Sequence, residues 1–330
     1  MTVPKPTLYI LSEFHPSSVK HAQSLFNCIL PSSPQATHWR AHATAILIKD
    51  YHITEPDLAA APQLRIIGKQ GVGLDKVDTD ACIRYNVRIC NTPGVNASAV
   101  AEMTLALALT VARQIPSLTH RQIAAGEAIR KETVQGALLT KKTVGVIGMG
   151  HIGERVARMF HGAFQSGVVA YDPYFGLEQG IEEEENNGQR KGKDSRKWEG
   201  IPYKRVHHLS ELLQSSDIVT VHVPLTHSTR GLISRPELQS MKRSAILLNT
   251  ARGGIVDEDD LVAALEEGLI WGAGVDCHVQ EPPTRERYGR LWSHPRVVGT
   301  PHVAAATEET QIATTNAAID AVYSYMTSSG

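Results

Sequence analysis

The chain has 330 residues, of which 42% are hydrophobic and 20% charged, an ordinary balance for a soluble globular protein. Its 33 basic and 34 acidic residues give a formal net charge of −1, which predicts no nucleic-acid and no membrane-surface partner. The four cysteines lack CxxC spacing, and neither a signal peptide nor a bilayer-spanning apolar run is recognisable. We therefore expect a cytoplasmic protein without a disulfide framework.

In the first hundred residues, β-rich runs alternate with helical patterns, as is typical of α/β architecture. The predicted strands cover residues 8–11, 45–48, 64–67 and 87–90. They are almost continuously apolar, which indicates burial on both faces of a parallel sheet. A glycine turn at 71–73 precedes a helix predicted to open at 75–81. A second helix, 98–113, is apolar nearly all round, which predicts burial between domains or subunits.

Six more strands are predicted beyond residue 142, the count of a complete dinucleotide-binding domain. They cover residues 143–147, 168–171, 218–222, 245–249, 272–275 and 297–300. A helix over 257–267 has Asp257 as its predicted N-cap and Gly268 at its end. A last helix, about 308–326, lies beyond the sixth strand, and we expect it to return to the first domain.

These elements predict an α/β protein of two doubly wound parallel-sheet domains with the active site in the cleft between them. The first is a discontinuous, flavodoxin-like substrate domain of residues 1–100 and 301–330, and the second is a Rossmann domain of residues 101–300. Residues 180–200 are highly charged and almost without apolar side chains. This composition predicts a mobile surface insertion.

A glycine fingerprint follows the strand predicted at 143–147 and opens a helix, the context in which this motif binds a dinucleotide. Its three glycines are Gly148, Gly150 and Gly153. Asp172 ends the next strand, where a carboxylate can accept both ribose hydroxyls of NAD and would repel the 2′-phosphate of NADP. We therefore predict NAD as the cofactor.

Three candidate catalytic side chains each follow a predicted strand of the second domain. Arg252 can hold a substrate carboxylate through two hydrogen bonds. His302 can take a proton from an alcohol and return it in the reverse reaction, because its imidazole titrates near neutral pH. Glu281 can orient that imidazole. Together these groups predict hydride transfer between a nicotinamide and a 2-hydroxy acid.

Two other enzyme classes lack their signatures. No GxSxG is present for a Ser-His-Asp hydrolase, and no HExxH or similar spacing for a metalloenzyme. We therefore expect no metal ligands.

The motifs resemble those of the D-isomer-specific 2-hydroxyacid dehydrogenases, and in particular their phosphoglycerate dehydrogenase branch. The resemblance covers nearly the whole chain. Its most specific stretches are Val146–Gly153, Val221–Thr226, Met241–Asp257, Gly272–Asp276 and Thr300–Val303.

The resemblance implies Arg252, Glu281 and His302 as the catalytic set, with His302 as acid/base. It also implies a homodimer formed through the helix near 97–113, and no C-terminal regulatory domain. Residues implied to contact the cofactor, besides the glycines and Asp172, are His151, Ile152, Val223, Thr250, Arg252 and Asp276. Residues implied to contact the substrate are Val72, Gly73, Lys49 and Lys69.

The substrate is expected to be a small 2-hydroxy or 2-keto acid. Lys49 and Lys69 stand where the phosphoglycerate branch tends to carry arginines for the substrate phosphate. A lysine supplies a positive charge but cannot make the two parallel hydrogen bonds of a guanidinium. Glyoxylate and hydroxypyruvate therefore remain alternative substrates to phosphoglycerate. A different class also stays open, the NAD-sensing corepressors that use the same fold and bind partner peptides.

Overall fold

A computed structural model describes residues 4–176 and 198–328. The chain divides into two compact units. Unit 1 comprises the described residues up to Asn96 and from Ala305 onward, and unit 2 runs from Ala97 to Ala304. In the described part of the chain, no helix is both long and apolar enough to cross a bilayer.

Unit 1 contains a five-stranded parallel sheet in the order β2-β1-β3-β4-β5, which is the flavodoxin-like order. The strands are β1 Thr7–Ile10, β2 Asn27–Ile29, β3 Ala45–Ile48, β4 Ile66–Lys69 and β5 Arg88–Cys90. The sequence predicted four of them and missed β2. That strand has only three residues, none of them fully buried, and lies at the sheet edge, so it shows no apolar run.

Five α-helices accompany this sheet in the described part of unit 1: α1 Pro16–Leu25, α2 Trp39–His42, α3 Glu55–Ala59, α4 Thr79–Arg84 and α12 Glu308–Ser328. Helix α4 begins later than predicted because Asp78 is its N-cap and accepts the Ala81 N–H. Helix α12 packs on β4, where Gly68 leaves room for the Val322 side chain. Unit 1 is therefore discontinuous in sequence.

Unit 2 contains a seven-stranded parallel sheet in the order β12-β11-β10-β9-β6-β7-β8. The strands are β6 Thr143–Ile147, β7 Gly167–Tyr171, β8 Tyr203–Arg205, β9 Ile218–Val221, β10 Ile246–Asn249, β11 Gly272–Val275 and β12 Val297–Gly299. Two parallel α/β sheets confirm the predicted fold class. The predicted count of six strands was wrong, because β8 is a short, half-polar edge strand.

The α-helices described in unit 2 are α5 Ala97–Ala112, α6 Ile115–Thr119, α7 His151–Phe164, α8 Leu209–Ser215, α9 Arg235–Ser240, α10 Glu258–Glu266 and α11 Arg285–Trp292. The Asp257 carboxylate caps α10 by accepting the N–H groups of Asp259 and Asp260, as predicted. Helix α5 packs against α7, β10 and β11. Its apolar surface is therefore largely used inside unit 2.

The insertion predicted at 180–200 falls mostly outside the described residues. Its last part, however, contains Trp198, which is buried in the core of unit 2 between Phe175 and Tyr203. The indole Nε1–H donates to the Met149 carbonyl at 2.9 Å. The prediction of a surface position was therefore wrong for Trp198, since a single tryptophan in a charged stretch carries no periodicity.

Candidate active site

The glycine turn joins β6 to α7 at the point where the strand order of the sheet reverses. A Cβ on Gly148 would lie 2.4 Å from the His222 carbonyl oxygen, and one on Gly153 would lie 2.1 Å from the Gly148 oxygen. By contrast, apart from its chain neighbours, no heavy atom of the described residues lies within 4 Å of a Cβ built on Gly150. Gly148 and Gly153 therefore allow backbone segments to pack closely. Gly150 leaves space at the helix N-terminus for a diphosphate.

Asp172 follows β7 and braces the glycine turn. Its Oδ2 accepts the Met149 N–H at 2.9 Å, and its Oδ1 accepts the Tyr174 N–H at 2.8 Å. The Arg205 guanidinium donates to the Asp172 carbonyl at 3.1 Å. Each carboxylate oxygen keeps a second lone pair. The group can therefore accept hydrogen bonds from the ribose hydroxyls of a dinucleotide while it holds its own loop.

Other predicted cofactor residues surround the same turn. His151 and Ile152 form the first turn of α7, and Val223 lies beside Gly148. Thr250 is buried, and its hydroxyl lies 3.0 Å from that of Thr104 on α5. Sequence reasoning missed Thr104 because one hydroxyl in an apolar helix gives no pattern.

His222 lies behind the turn with its Nε2 2.8 Å from the Thr220 hydroxyl. Burial lowers the pKa of its imidazole to about 3. The ring is therefore neutral at neutral pH and offers no charge to the cofactor site.

The three candidate catalytic residues follow neighbouring strands. Asn249 of β10 lies beside Val275 of β11, and Val275 lies beside Gly299 of β12. Arg252, Glu281 and His302 come after these strand ends and therefore lie at the carboxyl edge of the sheet, in the same unit as the glycine turn. This is the edge at which open α/β sheets bind ligands.

His302 and Glu281 form a direct pair. The imidazole Nδ1 lies 2.9 Å from both oxygens of the Glu281 carboxylate. Burial raises the pKa of Glu281, but the hydrogen bond and charge of His302 lower it by more, so the pKa lies below its usual value. The carboxylate therefore stays ionised, can hold an N–H on Nδ1 and leaves Nε2 available to exchange a proton.

The backbone at His302 is left-handed, with φ +57°, a conformation that costs free energy for a residue with a side chain. Asp276 holds it in place. The backbone N–H of His302 donates to the Asp276 carbonyl at 2.7 Å. The buried Asp276 carboxylate accepts the Thr300 hydroxyl at 2.6 Å and the N–H groups of Val303 and Ala304 at 2.9 and 3.0 Å. Asp276 thus positions the histidine loop.

Arg252 lies in a tight turn after β10. Asn249 spans that turn, since its side-chain amide donates to the Arg252 carbonyl and accepts the Ala251 N–H. The neighbouring Gly253 packs directly on the next loop, and a Cβ there would lie 2.1 Å from the His278 carbonyl carbon. The arginine loop and the loop that leads to Glu281 are therefore held against each other.

The predicted substrate residues lie at the carboxyl edge of the other sheet, in unit 1. Lys69 ends β4 opposite Ile48 of β3, and Lys49 follows Ile48. The Lys69 ammonium donates to the Gln70 carbonyl at 2.6 Å. The turn that follows contains Val72 and Gly73, and the Asn91 amide donates to the Val72 carbonyl at 2.7 Å.

A family model described as the NAD binding domain of the D-isomer specific 2-hydroxyacid dehydrogenases matches residues 105–304, more than half of the chain. The chain belongs to this family. It therefore carries the NAD-binding domain of a D-isomer specific 2-hydroxyacid dehydrogenase, which confirms NAD as the predicted cofactor. The open cradle at Gly150 and the strand switch point fit that dinucleotide.

Relatives within the family are named for several activities. D-3-phosphoglycerate dehydrogenase of Methanocaldococcus jannaschii is 37% identical over 78% of this chain and 45% of its own. Hydroxypyruvate reductase of Thermotoga maritima is 36% identical over 78% of this chain and 76% of its own. The crystal structure of the TT0316 protein from Thermus thermophilus is 30% identical with a TM-score of 0.77, covering 95% of this chain and 94% of that one. The chain spans about half the length of the phosphoglycerate dehydrogenase it matches.

Proposed function

We propose that this protein is an NAD-dependent D-2-hydroxyacid dehydrogenase that also catalyses the reverse reaction, the reduction of a 2-keto acid. The observation that carries the proposal is the His302–Glu281 pair, in which the carboxylate lies 2.9 Å from Nδ1. The pair lies in the same unit as an open glycine turn that fits a dinucleotide. A proton-transfer group and a hydride carrier are the two components that this reaction needs.

In this proposal, Nε2 of His302 takes the proton of the C2 hydroxyl during oxidation and returns it during reduction. Glu281 fixes the tautomer and stabilises the imidazolium that forms. Arg252 holds the substrate carboxylate through two charge-assisted hydrogen bonds. NAD, when bound, accepts the hydride, and NADH supplies it.

The same proposal assigns the cofactor to the glycine turn, Asp172 and the residues beside them. His151 and Ile152 stand at the helix N-terminus for the pyrophosphate. Val223 and Thr250 line the cofactor. The Asp276 carboxylate is proposed to accept from the nicotinamide carboxamide with the lone pair on Oδ2 that the histidine loop leaves unused.

Replacement of Asp172 tests the preference for NAD over NADP. We expect Asp172→Asn to relax that preference, because the amide keeps one hydrogen-bond acceptor but loses the charge that repels a 2′-phosphate. Asp172→Ala should in addition weaken NAD binding, since the Met149 N–H then loses its partner. The ratio of kcat/KM values with NAD and NADP measures both effects. An unchanged ratio in the two variants would contradict this role of Asp172.

For the substrate, we propose a phosphoglycerate dehydrogenase-like range, with glyoxylate or hydroxypyruvate reduction as the alternative. Two strand-end lysines of unit 1 support an anionic far end of the substrate. NADH oxidation with phosphohydroxypyruvate and hydroxypyruvate compares two substrates that differ by a phosphate. We expect Lys49→Gln and Lys69→Gln to raise KM for the phosphorylated one alone. Lys20→Gln is the matched control, because Lys20 is an exposed lysine of the same unit and lies on α1.

The panel of keto acids also tests the enzyme class. Equal kinetics with both substrates in all variants would favour the reductase alternative. NADH binding without turnover on any keto acid would contradict the enzyme and favour an NAD-sensing binding protein.

We propose in addition that the protein is a homodimer. Three large apolar side chains of unit 2, Ile115, Ile123 and Leu138, are exposed on the segment that follows α5. Exposed apolar surface of this kind is what a partner subunit would cover. A monomer in sedimentation analysis at micromolar concentration would contradict this assembly.

A further inference from the structure

We propose that Cys277, Glu281 and His302 form a binding site for Zn²⁺, and that the bound ion holds the protein in an inactive state. One ligand atom from each residue can be chosen so that all three lie within 4.8 Å of one another. The sequence gives no hint of this site, because Cys277 and Glu281 are four positions apart and His302 follows 21 positions later. The turns after β11 and β12 bring them together.

The three donors are those that zinc prefers. A thiolate, an imidazole and a carboxylate are its usual protein ligands, and three of them leave a fourth position open. With metal–ligand bonds of about 2.0–2.3 Å, tetrahedral ligand atoms lie roughly 3.5 Å apart. Separations of up to 4.8 Å would close by about 1 Å around an ion, whereas the 2.9 Å hydrogen bond between His302 Nδ1 and Glu281 would open.

The burial of the three residues suggests how an ion would enter. The side chains of Glu281 and His302 are 36% and 38% exposed, so an ion can reach them from solvent. Cys277 is 1% exposed and is the buried member of the group. Its thiol lies 3.3 Å from the Ala251 carbonyl, a weak hydrogen bond that binding would break.

Binding requires no change in oxidation state. The S–H bond of Cys277 breaks, its proton passes to solvent, and the sulfur electron pair forms the bond to zinc. Nδ1 of neutral His302 binds as its proton passes to solvent and Nε2 takes one up, and an oxygen of Glu281 completes the set. Thiolate and carboxylate then neutralise the charge of the ion. Inactivation rests on the proposed function, since an imidazole bound to zinc no longer exchanges a proton.

Cobalt binding tests the site without any catalytic readout. Chelator-treated protein is titrated with Co²⁺, and the thiolate-to-cobalt charge-transfer absorption is recorded in the near ultraviolet. Competition with Zn²⁺ then gives the zinc affinity. Cys277→Ser keeps the side-chain size and a donor for Ala251 but removes the thiolate. We expect this variant to lose the absorption and to bind zinc at least about tenfold more weakly. Loss of a residue that only supports a metal ligand already lowers affinity by about that factor.

Cys82→Ser is the matched control, because Cys82 is also 1% exposed but lies in unit 1. Should Cys277→Ser fail to fold, His302→Asn removes an exposed ligand and should weaken zinc binding by a similar factor. Wild-type protein without thiolate absorption, or variants with wild-type zinc affinity, would overturn the site.

Enzyme kinetics separate this proposal from the proposed function. The rate of NADH oxidation by the wild type should fall with added Zn²⁺ and recover with a chelator. The rate of Cys277→Ser should be the same with and without added Zn²⁺. Cobalt–thiolate absorption without any turnover would leave the site standing and contradict the enzyme. Turnover that Zn²⁺ does not change would leave the enzyme standing and contradict the inhibitory site.

Discussion

His302→Ala is expected to lower kcat for keto-acid reduction by roughly a hundredfold to ten-thousandfold, the usual contribution of general acid–base catalysis. Affinity for NADH should stay near that of the wild type, because the glycine turn and Asp172 do not depend on the imidazole. Steady-state kinetics and a fluorescence titration with NADH measure the two quantities separately.

The left-handed backbone at residue 302 calls for a second variant. Alanine is strained at φ +57°, whereas asparagine tolerates that region, so His302→Asn removes the imidazole with less disturbance of the loop. Equal losses of kcat in the two variants would assign the effect to the imidazole. A variant that folds normally and keeps wild-type kcat would exclude His302 as the acid/base.

Alanine at the glycines of the turn is expected to produce two different defects. Gly153→Ala should destabilise the fold by about 3 kcal/mol or more, because its Cβ would lie 2.1 Å from the Gly148 carbonyl oxygen. Gly150→Ala should lower the free energy of unfolding by no more than about 1 kcal/mol, since φ is −76° and only the N-cap of α7 is affected. Its methyl group would instead occupy the space proposed for the pyrophosphate and should weaken NADH binding about tenfold or more.

Urea unfolding and NADH titration measure this contrast. Gly162→Ala serves as the control, because Gly162 lies in the same helix, α7, and the described residues leave open space around its Cβ position. Alanine there should stabilise the helix by up to about 1 kcal/mol without any effect on NADH binding. Normal NADH affinity in Gly150→Ala would contradict the cofactor position.

Elements with a clear period could be predicted from the sequence, and short polar ones could not. Strand β6 and helix α10 lie within a residue of their expected bounds, because an apolar run and an N-cap aspartate mark them. Strands β2 and β8 have three residues each and pair only at a sheet edge. Their formation depends on neighbouring strands, which no local pattern records.

The site shows the same division. That Arg252, Glu281 and His302 share one sheet edge follows from their places after parallel strands. The position of Cys277 near the His302–Glu281 pair does not, since it depends on turns after β11 and β12. Nor does the sequence reveal that the carboxylate of Asp276 accepts three donors from the histidine loop, because these contacts depend on how that loop folds back.

The buried position of Trp198 has a practical consequence. Its indole donates a hydrogen bond to Met149, inside the glycine turn, whereas Trp271 and Trp292 lie elsewhere in unit 2 and Trp39 lies in unit 1. Tryptophan emission overlaps the absorption of reduced nicotinamide, so excitation of this ring should pass by resonance transfer to a dinucleotide at the turn. The protein thus contains an intrinsic optical reporter of cofactor occupancy that needs neither a label nor a substrate.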